Sequence, residues 1–210
     1  MIINQTVSGG SAPTPTKKYQ LLDRVVDDNN AEIGTISGFF YDSNNTEYAV
    51  VCLDKKYRSY ANVEFLSDTQ YVTGFPTSES SSVWDCKYTA TQNCDLVITF
   101  ANDNNLTCSG ITNCRQSSFT IDNVIYYGQA PNINELADIF TIRSYLNTND
   151  STSGAPIDIT KNYMTSCQYD RYHVYVLSSN GTIVAMTKTI ASQSYYQYRV
   201  LPILEIPNAI

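Results

Sequence analysis

The sequence predicts an α+β domain of antiparallel hairpins and about two helices, preceded by an extended N-terminal arm. Three observations predict it. Short runs of alternating or continuous apolar residues are bounded by Asn, Asp and Gly turns, the pattern of hairpins. Residues 132–148 carry a capped apolar stripe at spacings of three and four, the pattern of a helix lying on a core. Residues 1–18, MIINQTVSGGSAPTPTKK, are rich in Gly, Ser, Thr and Pro and hold too little apolar surface to pack.

The chain of 210 residues fits one domain with a tail, an arm at residues 1–18 and a single domain at 19–210. Hydrophobic residues make up 42 %, enough for a packed core. From Tyr19 the character changes. Val25 and Val26 lead into the turn residues 27–30, and residues 33–41 and 47–53 read as two strands around the cluster at 42–45. Residues 57–88 show no strong period; Trp84 within them reads either as a core or loop anchor or as a surface for stacking. Residues 90–104 place Cys94, Val97, Ile98 and Ala101 at helical spacing, and residues 108–115 read as a loop. Residues 119–127 form a hairpin around Asp122-Asn123.

The second helix is the clearest element. Asn132 can cap it, and Glu135 stands three residues later as in a capping box. Ile133, Leu136, Ile139, Phe140, Arg143 and Leu146 then follow, all apolar except Arg143. Residues 149–162 are polar, with Gly154 and Pro156 as breakers. Residues 173–179 and 182–188 flank Asn180-Gly181, a hairpin signal with both turn residues expected at positive φ. A last strand is expected over residues 198–206.

Charge and cysteine content narrow the function. With 13 basic and 20 acidic residues the net charge is −7, which disfavours nucleic acid and anionic membranes as partners. No apolar run of about 18 residues predicts membrane insertion. The N-terminus lacks the basic and apolar regions of a secretory signal, so synthesis in a cytoplasm and mostly free thiols are expected at Cys52, Cys86, Cys94, Cys108, Cys114 and Cys167. No C-x-x-C occurs and His173 is the lone histidine, so no zinc site is expected. Asp27, Asp28 and Asp42 have a sufficient explanation as turn residues, and neither metal nor cofactor is expected. No nucleophile accompanies His173, and no enzyme is read.

In their order these pieces resemble a known pattern. Gly34-x-x-x-Gly38-Phe39-Phe40-x-Asp42 leads to Tyr48-Ala49-Val50-Val51, followed by Ala130-Pro131-Asn132-Ile133-Asn134-Glu135-Leu136 and Met164-Thr165-Ser166. A hairpin at residues 176–181 and the closing Tyr198-Arg199-Val200-Leu201-Pro202-Ile203-Leu204-Glu205-Ile206 complete it. The set resembles the C-type-lectin-like domain of Lcl-type adhesins, of diversity-generating-retroelement targets and of gut-phage fibre proteins. Met164 stands where that family has Trp. No Glu-Pro-Asn or Trp-Asn-Asp pair is present, so calcium-bridged sugar binding is not implied.

The resemblance implies a ligand face on the loops around the last hairpin and the final strand. Those loops hold Tyr169, Asp170, Arg171, Tyr172 and His173, and Gln193, Ser194, Tyr195 and Tyr196. Tyr beside Ser and Gln suits recognition, since the ring is a stiff anchor and the short polar chains adapt; a subunit interface suits the same composition. The arm residues Ile2, Ile3, Asn4, Gln5, Thr6 and Val7 are similar to the starts of phage virion proteins and imply docking into the particle. The expected function is a virion surface protein, a head or tail fibre, made in the host bacterial cytoplasm. Its expected partners are other virion proteins and a host-surface glycan or protein, with a homo-oligomer, a trimer by analogy with fibres. A capsid decoration protein without host ligand and a bacterial surface adhesin are the alternatives.

Overall fold

A computed structural model describes residues 17–58, 61–75, 88–189 and 198–209. The chain is α+β. One sheet joins β1 (Arg24–Val26), β2 (Glu32–Tyr41), β3 (Glu47–Leu53) and β11 (Ile203–Pro207) in that order, all antiparallel. The other has the order β4 (Ala61–Val63), β10 (Tyr198–Arg199), β7 (Asn162–Gln168), β8 (His173–Leu177) and β9 (Ile183–Thr187). In it only β10 and β7 run parallel. A separate hairpin pairs β5 (Ser118–Ile121) with β6 (Val124–Tyr127).

The apolar run of β3 has no polar alternate because both of its faces are covered. Ala49, Val51 and Leu53 pack with Phe119 and Ile121 of the small hairpin, whereas Val50 and Cys52 pack with Leu136, Ile139 and Phe140. A bulge at Ser37 shifts the β2–β3 register, and the Ser37 hydroxyl donates to the Val50 carbonyl at 3.1 Å.

The turns follow from their Asp and Asn residues. At 27–31 and 42–46 the two hairpins close alike: Asp27 and Asp42 accept from the amides two and four residues on, and Asn30 and Asn45 take positive φ of 61°. This is a three-residue loop with a left-handed third residue. Both Asp27 and Asp42 are thereby committed to turn amides, and Asp28 accepts from the Asp122 and Asn123 amides. Asp122 and Asn123 themselves take φ of 52° and 63°. The turn at Asn180-Gly181 corrects the sequence reading. Only Gly181 has positive φ, because Ser178 and Thr182 close a loop of three residues rather than two.

Four helices, not two, are present among the described residues: α1 (Ala90–Asp103), α2 (Ser109–Cys114), α3 (Ile133–Thr141) and α4 (Arg143–Asn149). The α2 segment was expected to be a loop. It is held from outside, by the Gly110 amide on the Glu64 carbonyl at 2.8 Å and the Glu64 amide on Ser109 Oγ at 3.0 Å. Met164 fills the space over Gly110, where a Cβ would lie 2.2 Å from the Met Cε. The expected single helix at 132–148 breaks at Ile142, whose φ and ψ of −104° and 13° leave the helical basin. Arg143 Nη1 caps the broken end on the Phe140 carbonyl at 2.6 Å. Its start is as expected: Asn132 accepts from the Asn134 and Glu135 amides, and Glu135 accepts from the Asn132 amide at 2.7 Å.

The expected closing strand is two strands. β10 lies in the second sheet, and after Pro202 the chain enters the first sheet as β11. Proline has no amide hydrogen, so a ladder fails there; the Pro202 carbonyl still accepts from Leu53. Residues 17–19 meet the other end of the chain, with Lys17 bridging Ala209 and the Tyr19 amide on Asn208 Oδ1 at 2.7 Å.

Cys52, Cys94, Cys108 and Cys114 are free and buried, and Cys167 is disulfide-bonded. Burial raises the four free thiols above their ordinary pKa, Cys108 to about 11. Thiol titration of the unreduced chain should therefore find none reactive in the native state and four of the six once it is unfolded. Six thiols on unfolding would remove the disulfide. Cys86 and Trp84 lie outside the described residues, as do residues 1–16.

Candidate ligand-binding surface

Residues 169–172 connect β7 to β8, which starts at His173. The Tyr169 amide donates to the His173 carbonyl at 3.0 Å, which closes the turn. Inside it Asp170 Oδ1 accepts from the Tyr172 amide at 2.7 Å and the His173 amide at 2.8 Å. The His173 Nδ1 lies 2.8 Å from both Asp170 oxygens. Burial opposes the Asp170 charge, but the hydrogen bonds from His173 and from the two amides outweigh it and lower its pKa. His173 is thus the orienting partner of a turn carboxylate.

A second set of contacts ties the turn to residues 67–75. Arg171 Nε donates to the Thr69 carbonyl at 3.2 Å. The Gln168 side chain pairs with the Val72 backbone, accepting its amide at 2.9 Å and donating to its carbonyl at 3.1 Å. Lys188 is fully buried. Its Nζ donates to the Gln70 carbonyl at 2.8 Å and to Gln168 Oε1, and lies 5.6 Å from the Phe65 ring centroid. Loss of solvent lowers its pKa to about 7, with Asp170 acting in the opposite direction. A neutral amine keeps two hydrogens, so both hydrogen bonds survive deprotonation. The Lys188 amide also donates to the Tyr172 carbonyl at 3.0 Å.

On this base the side chains divide. Tyr169 is half-buried, edge-on to Tyr175 with centroids 5.1 Å apart, and serves mainly to support the turn. Tyr172 is 51 % exposed, and the Arg171 guanidinium lies 5.7 Å from its ring centroid. The arrangement presents an aromatic face and a cation to solvent on a turn whose backbone is fixed. Of the expected face, Tyr169, Asp170, Arg171, Tyr172 and His173 are brought together, whereas Gln193, Ser194, Tyr195 and Tyr196 lie outside the described residues. The supporting residues Gln70 and Lys188 were missed, since each acts through a partner about 20 or more positions away that no local pattern announces.

No helix is long and apolar enough to cross a membrane among the described residues. No family model and no curated protein matches the sequence. Among solved structures, a fimbrial protein from Bacteroides ovatus ATCC 8483 is similar, with a TM-score of 0.59 and 13 % sequence identity. The alignment covers 89 % of this chain and 48 % of that one, so the chain spans about half the length of its structural relative. At that identity the likeness is one of fold.

Proposed function

We propose that the chain is a bacteriophage virion surface protein, a head or tail fibre, whose C-type-lectin-like domain recognises a host-surface glycan or protein. The locked turn carrying exposed Tyr172 and Arg171 is the observation behind this reading. A recognition surface gains most from a rigid aromatic, because little conformational freedom is left to lose on binding. The lectin-like assignment is supported by the element order: an early hairpin, a capped helix, the β7–β8–β9 meander, and a closing strand beside β3. Residues 2–7 are assigned to docking on other virion proteins, and the chain to a homo-oligomer.

Tyr172→Ala tests the surface. The hydrogen bonds of the turn use only the backbone of Tyr172, and its ring is exposed, so stability should change by no more than about 0.5 kcal/mol. Binding to host cells should weaken by about 1–2 kcal/mol, roughly five- to thirtyfold. Antibody labelling of purified particles should find the chain on their surface, and a chain lacking residues 1–16, which keeps the Lys17 and Lys18 contacts, should fold yet fail to incorporate. Unchanged cell binding by the variant would move the recognition surface elsewhere. Absence from particles would remove the virion assignment.

A bacterial surface adhesin is the second reading. Two observations favour it: the structural relative is a fimbrial protein, and the disulfide at Cys167 is of a kind that persists in oxidising compartments. Labelling of intact bacteria rather than particles would select it.

A further inference from the structure

The far end of the β8–β9 hairpin, away from the turn at 169–173, overhangs a cavity of about 420 Å³. Phe140, Leu177 and Ile183 give it apolar walls, and Arg143, Ser179 and Asn180 give it polar ones. That volume lies in the range of small-molecule sites, roughly 300–1,000 Å³.

The polar groups share a character. Arg143 is the one cation in the apolar stripe of α3 and α4, at a position where the spacing calls for an apolar side chain. Only its Nη1 is engaged, on the Phe140 carbonyl, and no carboxylate pairs with it among the described residues. Its Nε and Nη2 are left to the cavity and solvent. The Asn180 side-chain oxygen is taken by the Ser178 hydroxyl and by Thr182, whose amide and hydroxyl lie 3.1 Å and 2.6 Å away, which leaves the Nδ2 donor. The Ser179 hydroxyl makes no hydrogen bond among the described residues, while its amide is held by Asn162. A cation and two neutral donors thus line one cavity with an apolar floor, on a protein of net charge −7.

We infer that this cavity binds a carboxylate carried on a small ring, in the manner of a uronic acid residue. A guanidinium presents a planar fork that a carboxylate matches with two parallel hydrogen bonds. The half of Arg143 that caps α3 fixes the orientation of the half that remains, so the fork is held in place before a ligand arrives. The Ser179 and Asn180 donors are placed for ring hydroxyls, and the Phe140 and Ile183 walls for the apolar face of the ring. The site is separate from the Tyr172 surface and does not depend on it.

Saturation-transfer NMR and calorimetry with D-galacturonate and D-glucuronate, against galactose and glucose, test the inference on the full chain. The uronates should bind and the neutral sugars should bind at least tenfold more weakly. Sodium acetate should compete. Arg143→Met should lose at least tenfold in uronate affinity, and Arg143→Lys should lose less. Since Arg143→Met also removes the α3 cap, Ser179→Trp provides an independent variant: it fills the cavity from an exposed turn and should abolish uronate binding with Arg143 intact. Failure of the wild type to bind either uronate, equal binding of the neutral sugars, or indifference to both Arg143→Met and Ser179→Trp would each overturn it.

Discussion

Replacing Asp150 by Ala should destabilise the chain by about 3–5 kcal/mol, the cost of leaving a buried cation without its partner. Asp150 and Arg58 are each 2 % exposed at the side chain, with 3.7 Å between them. Asp150 also accepts from the Lys55 amide and from the Thr152 amide and hydroxyl, and so holds the turn Lys55–Tyr57 against the end of α4. Arg58 Nε in turn donates to the Leu53 carbonyl at 2.6 Å, at the last residue of β3. The Asp150 pKa is lowered, since hydrogen bonds from Thr152 and Lys55 and the charge of Arg58 exceed the opposing effect of burial. A depressed carboxylate pKa contributes stability above its unfolded value, about 3.9, that is lost as pH falls through the folded value. Urea denaturation should thus show a large loss for Asp150→Ala near neutrality and a smaller one in acid. The double change with Arg58→Met should recover part of it. A loss under about 1 kcal/mol at neutral pH would show that the pair is hydrated and unimportant.

The second large effect is expected where β11 meets the helices. Glu205 is buried and accepts from the Ala90 amide at 2.7 Å, the Thr91 amide at 2.9 Å and the Thr91 hydroxyl at 2.7 Å. It therefore satisfies the first turn of α1 beside the Thr89–Gln92 capping box. Glu205→Ala strands those donors and should cost about 3 kcal/mol or more. Glu135 stands next to it. Burial, then the charge of Glu205, raises the Glu135 pKa well above the ordinary carboxylate range. For an acid so raised the folded chain holds more protons than the unfolded one. The stability it contributes is complete below the unfolded pKa of about 4.3 and declines as pH rises toward the folded value. Glu135→Gln keeps an acceptor for the Asn132 amide and adds a permanent donor. It should flatten the alkaline decline and melt no lower than wild type at pH 8, whereas Glu135→Ala should melt lower throughout. An unaltered pH profile in the Gln variant would assign the titration to another group.

Local chemistry made part of this fold legible. The β2–β3 hairpin announced itself through its Asp and Asn turn, and α3 through Asn132 and Glu135, because the physics of each lies within a few residues. The break at Ile142 was illegible, since Arg143 continued the spacing in register and the interruption shows only in the backbone of Ile142 and in the capping contact of Arg143 with Phe140. α2 was missed because six residues containing Gly110 carry no amphipathic period. The two halves of the closing segment read as one strand because Val200, Leu201, Ile203 and Leu204 carry apolar character across Pro202, and their separation depends on which sheet each meets. The ligand face was legible as a Tyr-rich turn, but its foundations on Gln168 and Lys188 were not. A buried lysine after β9 looks like any polar residue ending a strand until the loop at 67–75 is folded over it.

The split of the closing segment also sets a timetable. β10 joins β4 to β7, and β11 covers the open edge of β3, so neither sheet is assembled before residues 198–207 exist. The contact between Tyr19 and Asn208 spans 189 positions. Contacts that distant slow the search for the native state, since most of the chain must be ordered before they are made. Synthesis from the N-terminus therefore leaves the apolar β3 edge bare until residues 203–207 have been made, and the sheet closes only once that strand has cleared the ribosome. In the interval the unpaired edge is a template for other growing copies. Yield in a host cell should consequently respond to chaperone supply and growth temperature more than to the stability of the finished domain.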